Sequence, residues 1–212
     1  MNRIHVIAEG ATEAGFVREI LASFFKERHI CIGSILMGGN VNYQRLRRDI
    51  QRILGDTAAY CTTMIDLYGI KKIEEFPGYE HFKNLRGRQK AVAMETAISQ
   101  DFGHHVRLIP YIQLHEFEAL LFSDPSMLAS AIGQPKLASE FQAVRDSVSN
   151  PEEINEGIQT APSKRIERIY PAFDKTKDNI HATKAIGLST LRGACPHFHA
   201  WLSQLENVSS HS

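Results

Sequence analysis

Residues 3–8 (RIHVIA) make a short, mostly apolar run that stops at Glu9-Gly10, the pattern of a buried strand. Beyond it, Phe16, Val17, Ile20, Leu21, Phe24 and Phe25 recur at the spacing of a helix that buries one stripe. Thr12 stands where it can cap that helix, and Glu13 falls in the first turn, where the helix dipole favours an anion. Residues 29–37 (HICIGSILM) predict a second strand, closed by the Gly38-Gly39-Asn40 cluster. Leu46, Ile50, Ile53 and Leu54 mark a second helix, with Arg45, Arg47, Arg48 and Arg52 on its solvated outer face. Residues 58–65 (AAYCTTMI) predict a third strand that delivers Asp66 at its carboxyl end. A loop rich in Gly, Pro and charge over 67–88 leads to a helix near 89–100. Over 105–114 the residues alternate, with Val106, Leu108, Pro110, Ile112 and Leu114 on one face. Pro110 cannot donate to a ladder, so this strand is expected at an edge or bent there.

Strands alternating with helices predict an α/β fold: a mainly parallel sheet with helices on both faces. From about residue 115 the patterns are helical, interrupted by a polar loop near 147–162. The expected division is an α/β core over 1–123 and a helical carboxy-terminal extension over 124–212. No internal repeat occurs, and the only biased stretch is the polar tail NVSSHS.

Composition narrows the class without naming an activity. Of 212 residues, 43% are hydrophobic and 23% charged, as in ordinary globular proteins. No apolar run approaches the ~20 residues that span a bilayer, and the amino-terminal stretch lacks the form of a signal peptide. The three cysteines, Cys31, Cys61 and Cys195, are far apart with no CxxC pair, which suits a reducing cytoplasm. A net charge of zero means that any nucleic-acid surface is a local patch. There is no GxxxxGK[ST] phosphate loop and no GxSxG elbow.

Ligands of parallel sheets bind at the carboxyl ends of the strands. Glu9, Asp66 and Glu116/Glu118 each follow a predicted strand, so acids distant in sequence are expected to converge there. A hard divalent cation relieves the repulsion between such carboxylates and prefers their oxygens. Glu116 lies closer to the strand end than Glu118; on a helix the two diverge by about 200°, at ~3.6 residues per turn. His115 reads as a hydrogen-bonded structural histidine. The backbone N–H groups of the helix start around Thr12 offer a phosphate site. Basic candidates are Arg86, Arg88 and Lys90 after the aspartate loop, then Lys164, Arg165 and Arg168 on a helix, and Lys175. Cys195-Pro-His-Phe-His199 lacks a fourth zinc ligand and reads instead as a helix start that packs Phe198 and Trp201 inward.

The segments EGATEAGFV, MIDLYG, YIQLHEFEALLF and APSKRIERIYPAFDK, spread from residue 9 to residue 175, carry a family resemblance. The first is similar to the opening motif of Toprim-type domains. The ordered set resembles an uncharacterised bacterial Toprim-like family, related to OLD-type nucleases and often encoded beside an AAA-type ATPase in defence loci. The resemblance implies a Toprim-like sheet and cleavage of DNA or RNA dependent on Mg²⁺ or Mn²⁺. It makes Glu9 a metal ligand or general acid/base and Asp66 the first aspartate of a DxD pair. Tyr68 stands at the second position, leaving Glu116 or Glu118 to complete the ligands. Thr12, Arg86, Arg88, Lys164 and Arg165 would contact phosphates, and Lys175 would stabilise developing charge. An ATPase partner, anti-phage defence and a homo-oligomer complete the expectation. Two alternatives stay open: an inactive partner or sensor subunit on the same scaffold, and a phosphoryl-transfer enzyme acting on nucleotides.

Overall fold

The computed structural model describes residues 2–39, 41–155 and 157–208. Asn40 of the glycine cluster, Glu156 of the polar loop and the last four residues of the tail lie outside them. The chain forms two compact units: Met1–Gln113 with Trp201–Ser212, and Leu114–Ala200. This division falls ten residues before the one expected from sequence, and it gives the closing segment to the first unit.

The first unit begins with β1 (Arg3–Ala8), then α1 (Ala11–Phe16), a π-helical turn (Val17–Leu21) and α2 (Ala22–Lys26). It continues through β2 (Cys31–Leu36), α3 (Tyr43–Leu54) and β3 (Ala59–Asp66). A short 3-10 turn (Ile73–Glu75), α4 (Tyr79–Phe82) and α5 (Gly87–Asp101) precede β4 (Leu108–Ile109) and β5 (Ile112–Gln113). The sheet order is β2-β1-β3-β4, with β5 also on β3, and every pairing is parallel. Val6, Ile7 and Ala8 are all buried, as are Cys61 to Ile65. Side chains alternate along a strand, so both faces of β1 and β3 are covered. That is the α/β architecture the sequence predicts.

Two local expectations are corrected. The residue capping α1 is Gly10, not Thr12; Gly10 N–H donates to the Glu13 carboxylate at 2.8 Å, and Thr12 sits inside the first turn. The strand expected over 105–114 is two short pieces on either side of Pro110. Pro110 has no N–H, and side chains of β3 stitch the gap instead. Thr63 Oγ1 donates to the Tyr111 carbonyl (2.7 Å) and accepts the Tyr111 N–H (2.8 Å). Thr62 Oγ1 donates to the Ile109 carbonyl and accepts the Trp201 indole N–H at 2.8 Å. Trp201 stacks on Tyr111, with ring centroids 4.4 Å apart.

The second unit is helical. A 3-10 segment (Phe117–Ser123) is followed by α6 (Pro125–Ala131), a 3-10 turn (Pro135–Leu137) and α7 (Ala138–Asp146). Two more 3-10 turns (Pro151–Glu153 and Ile158–Thr160) lead to α8 (Pro162–Ile169), α9 (Lys175–Ile186) and α10 (Leu188–Ala194). The last helix, α11 (Pro196–Asn207), starts in this unit and supplies Trp201 to the first. As expected, Pro196 opens it and Phe198 is buried. Among the described residues, no helix is long and apolar enough to cross a membrane.

Candidate functional site

β1 and β3 are adjacent and in register, Ala8 lying opposite Met64. The chain leaves β1 at Glu9, whose N–H donates to the Met64 carbonyl at 3.1 Å. From there the Glu9 carboxylate reaches the last residue of β3: Oε2 accepts the Asp66 main-chain N–H at 2.9 Å. Asp66-Leu67-Tyr68-Gly69 then turns, with Gly69 N–H donating to the Asp66 carbonyl at 2.9 Å. The Glu9 carboxylate packs under this turn. A β-carbon built on Gly69 would lie 2.1–2.4 Å from its carboxyl atoms. Glu9, Asp66 and Gly69 are each partly exposed, whereas Tyr68 is 53% exposed.

Glu9 and Asp66 are thus brought together at the carboxyl edge of the sheet. Both are hard oxygen donors of the kind Mg²⁺ prefers, and Mg²⁺ usually binds through one or two carboxylates while keeping several waters. Two acids fit that mode of binding. A cage made by protein alone is not present: among the described residues, no three His, Cys, Asp or Glu are grouped to hold a metal.

Sequence reasoning missed Gly69, which packs against the Glu9 carboxylate, and two lysines further along the same loop. Gly69 carries no chemistry of its own and shows its purpose only against Glu9. Lys71 and Lys72 follow Ile70, which bridges to Val41. They line a groove with Val41, Asn42, Gln44 and Glu75, where Lys72 pairs with Glu75 at 2.9 Å. Of the remaining first-unit candidates, Thr12 is half-buried within α1, and Arg86 and Arg88 are exposed at the start of α5.

The other candidates belong to the second unit, where each has a local partner. Glu116 precedes the Phe117–Ser123 segment, and its Oε2 accepts the Ser163 N–H at 2.9 Å, serving the amino terminus of α8. Glu118 is buried; its Oε1 accepts from Asn179 Nδ2 at 3.0 Å and lies 3.4 Å from Lys175 Nζ. Burial pulls the Lys175 pKa down, but the charges of Glu118 and Glu116 outweigh it, and the value stands above the ordinary lysine range. Burial also lowers the pKa of His115, against the pull of Glu116. Lys164 pairs with Glu167 at 2.6 Å, and Arg165 Nε donates to the Thr160 carbonyl at 2.9 Å.

The first unit is an α/β protein with an all-parallel sheet, and Glu9 and Asp66 lie at the edge where such sheets usually hold ligands. Residues 8–206 match the model of a family described as a domain of unknown function, DUF4276, and the chain belongs to that family. Two solved structures of the C-terminal region of the OLD protein of Xanthomonas campestris pv. campestris, phased with iodine and with mercury, are similar at 14% and 12% identity. Each gives a TM-score of 0.49 and covers 99% of this chain and 97% of its own. No curated protein matches the sequence.

Proposed function

We propose that this chain is a metal-dependent, Toprim-like nuclease that cleaves phosphodiester bonds in DNA or RNA, with Glu9 and Asp66 as its ligands for Mg²⁺ or Mn²⁺. The observation that carries the reading is the seating of the Glu9 carboxylate on the Asp66 main chain, at the ends of two adjacent parallel strands. When bound, such a cation polarises a phosphoryl oxygen and offsets the charge that develops on it. Glu9 contributes a carboxylate whose direction is fixed by the Asp66 N–H, so one donor needs no reorganisation. With Tyr68 in place of a further aspartate, Glu9 and Asp66 are the two carboxylates that would hold the cation. Lys175 is proposed as a phosphate contact of the second unit, its ammonium kept charged by Glu118. The ATPase partner and the role in anti-phage defence rest on the motif resemblance.

Glu9→Gln tests the reading, because the amide keeps an acceptor for the Asp66 N–H but is a far poorer cation ligand. Mn²⁺-dependent cleavage of DNA and RNA is expected to fall at least ~100-fold, with circular dichroism unchanged. Full activity in that variant would refute the assignment. Tyr68 favours a second reading, a partner or sensor subunit without turnover; calorimetry that detects no Mg²⁺ or Mn²⁺ binding at millimolar metal selects it.

A further inference from the structure

Glycine at a turn usually answers a demand of the backbone. Gly38, Gly39, Gly78, Gly87, Gly103, Gly133, Gly157 and Gly187 all have φ in the positive range, where a β-carbon is strained. Gly69 is not among them. Its N–H closes the turn onto the Asp66 carbonyl, a bond that alanine would make equally well. Local conformation therefore does not require glycine at this position. What would meet a β-carbon here is the carboxylate of Glu9: Oε1 at 2.1 Å, Oε2 at 2.3 Å and the carboxyl carbon at 2.4 Å. The carboxylate of residue 9 occupies the place of a side chain at residue 69.

We propose that Gly69 is a positioning residue for the acid pair: its bare α-carbon is what allows Glu9 to lie under the turn with Oε2 on the Asp66 N–H. The inference rests on the metal-binding reading of Glu9 and adds the element that sets the carboxylate's direction. Glu9 is a flexible side chain, so a methyl group at residue 69 is accommodated by swinging the carboxylate away. The change is cheap for the fold and costly for the site. This separates Gly69 from a structural glycine, whose replacement would strain the backbone and leave the carboxylate where it is.

The test compares the wild type with Gly69→Ala, Glu9→Ala and the double variant. The first readout is the ¹H–¹⁵N resonance of the Asp66 amide, which reports whether a carboxylate accepts its proton. It is expected to move in the same direction in both single variants, and no further in the double. The second is Mn²⁺ affinity by calorimetry, expected to fall about 10–100-fold in Gly69→Ala, as for loss of a residue that orients a ligand. An Asp66 amide that stays at its wild-type position in Gly69→Ala overturns the proposal. Should Gly69→Ala fail to fold, the double variant, freed of the carboxylate, must fold; if it does not, the glycine serves the backbone and the proposal falls. A wild-type protein that binds no Mn²⁺ sinks the metal reading instead, and the amide shift still decides the role of Gly69.

Discussion

Glutamate carboxylates repeatedly take main-chain N–H groups in this chain. Glu13 accepts from Gly10, Glu9 from Asp66, Glu95 from Ile112, Glu116 from Ser163, and Glu152 from both His197 and Phe198. An ionised acceptor makes a stronger bond than a neutral one, which suits these partly or wholly buried places. It also explains what could be read from sequence. Strand ends indicate where acids lie, and the Glu9 carboxylate sits on the Asp66 main chain there. Whether a particular glutamate faces a ligand or a backbone amide depends on segments remote in the chain, as Ser163 is from Glu116. Gly69 was illegible for the same reason, since its meaning lies in a side chain sixty residues earlier.

His115 carries a residue-scale prediction. Its φ is 65°, in the left-handed region, and it is buried. Burial depresses its folded pKa below the ordinary histidine value of about 6.5. The unfolded chain therefore binds the proton first as pH falls, so the stability from the neutral ring is complete above about 6.5 and is lost on going below it towards the folded pKa. His115→Asn keeps a residue that tolerates the left-handed backbone. Urea midpoints at pH 7.5 and pH 5 are expected to differ less in the variant than in the wild type; an equal difference would exclude this ring as the source.

At the scale of elements, β1 and α3 were readable because their patterns are local, a mostly apolar run and an apolar stripe at helical spacing; in the structure Asn42 caps α3, its side chain accepting the Arg45 N–H at 2.9 Å. The 105–114 segment has the alternation of a single strand, but Pro110 breaks the ladder and Thr62 and Thr63 bridge it from the neighbouring strand. No pattern within the segment itself announces those threonines. The start of α11 offers a prediction. Glu152, 2% exposed, accepts both the His197 N–H (2.8 Å) and the Phe198 N–H (2.9 Å). Glu152→Ala leaves two buried donors unsatisfied, at about 1–3 kcal/mol each. Calorimetric Tm is expected to drop by several degrees, and an unchanged Tm would show that water replaces the carboxylate at no cost.

For the molecule as a whole, local patterns reveal the α/β class but not the return of the last segment to the first unit. Trp201, Leu202, Leu205 and Val208 are buried there, and the Val208 carbonyl accepts from Asn2 Nδ2 at 2.8 Å. Fully burying a large apolar side chain contributes about 1.5–3 kcal/mol. Four such residues approach the whole stability of an ordinary domain, about 5–15 kcal/mol. A chain shortened to end at Ala200 is therefore expected to lose cooperative urea unfolding of the first unit, followed by circular dichroism; a wild-type transition would mean that the sheet stands without this segment.

The three thiols differ in access. Cys61 and Cys195 are buried, and burial pushes both thiols well above the usual cysteine range; Cys31, the first residue of edge strand β2, is exposed. Alkylating reagents attack thiolates they can reach. The native chain thus comes with one addressable anchor point, next to the strand that leads to Glu9, where a fluorophore or spin label can be attached without editing the sequence.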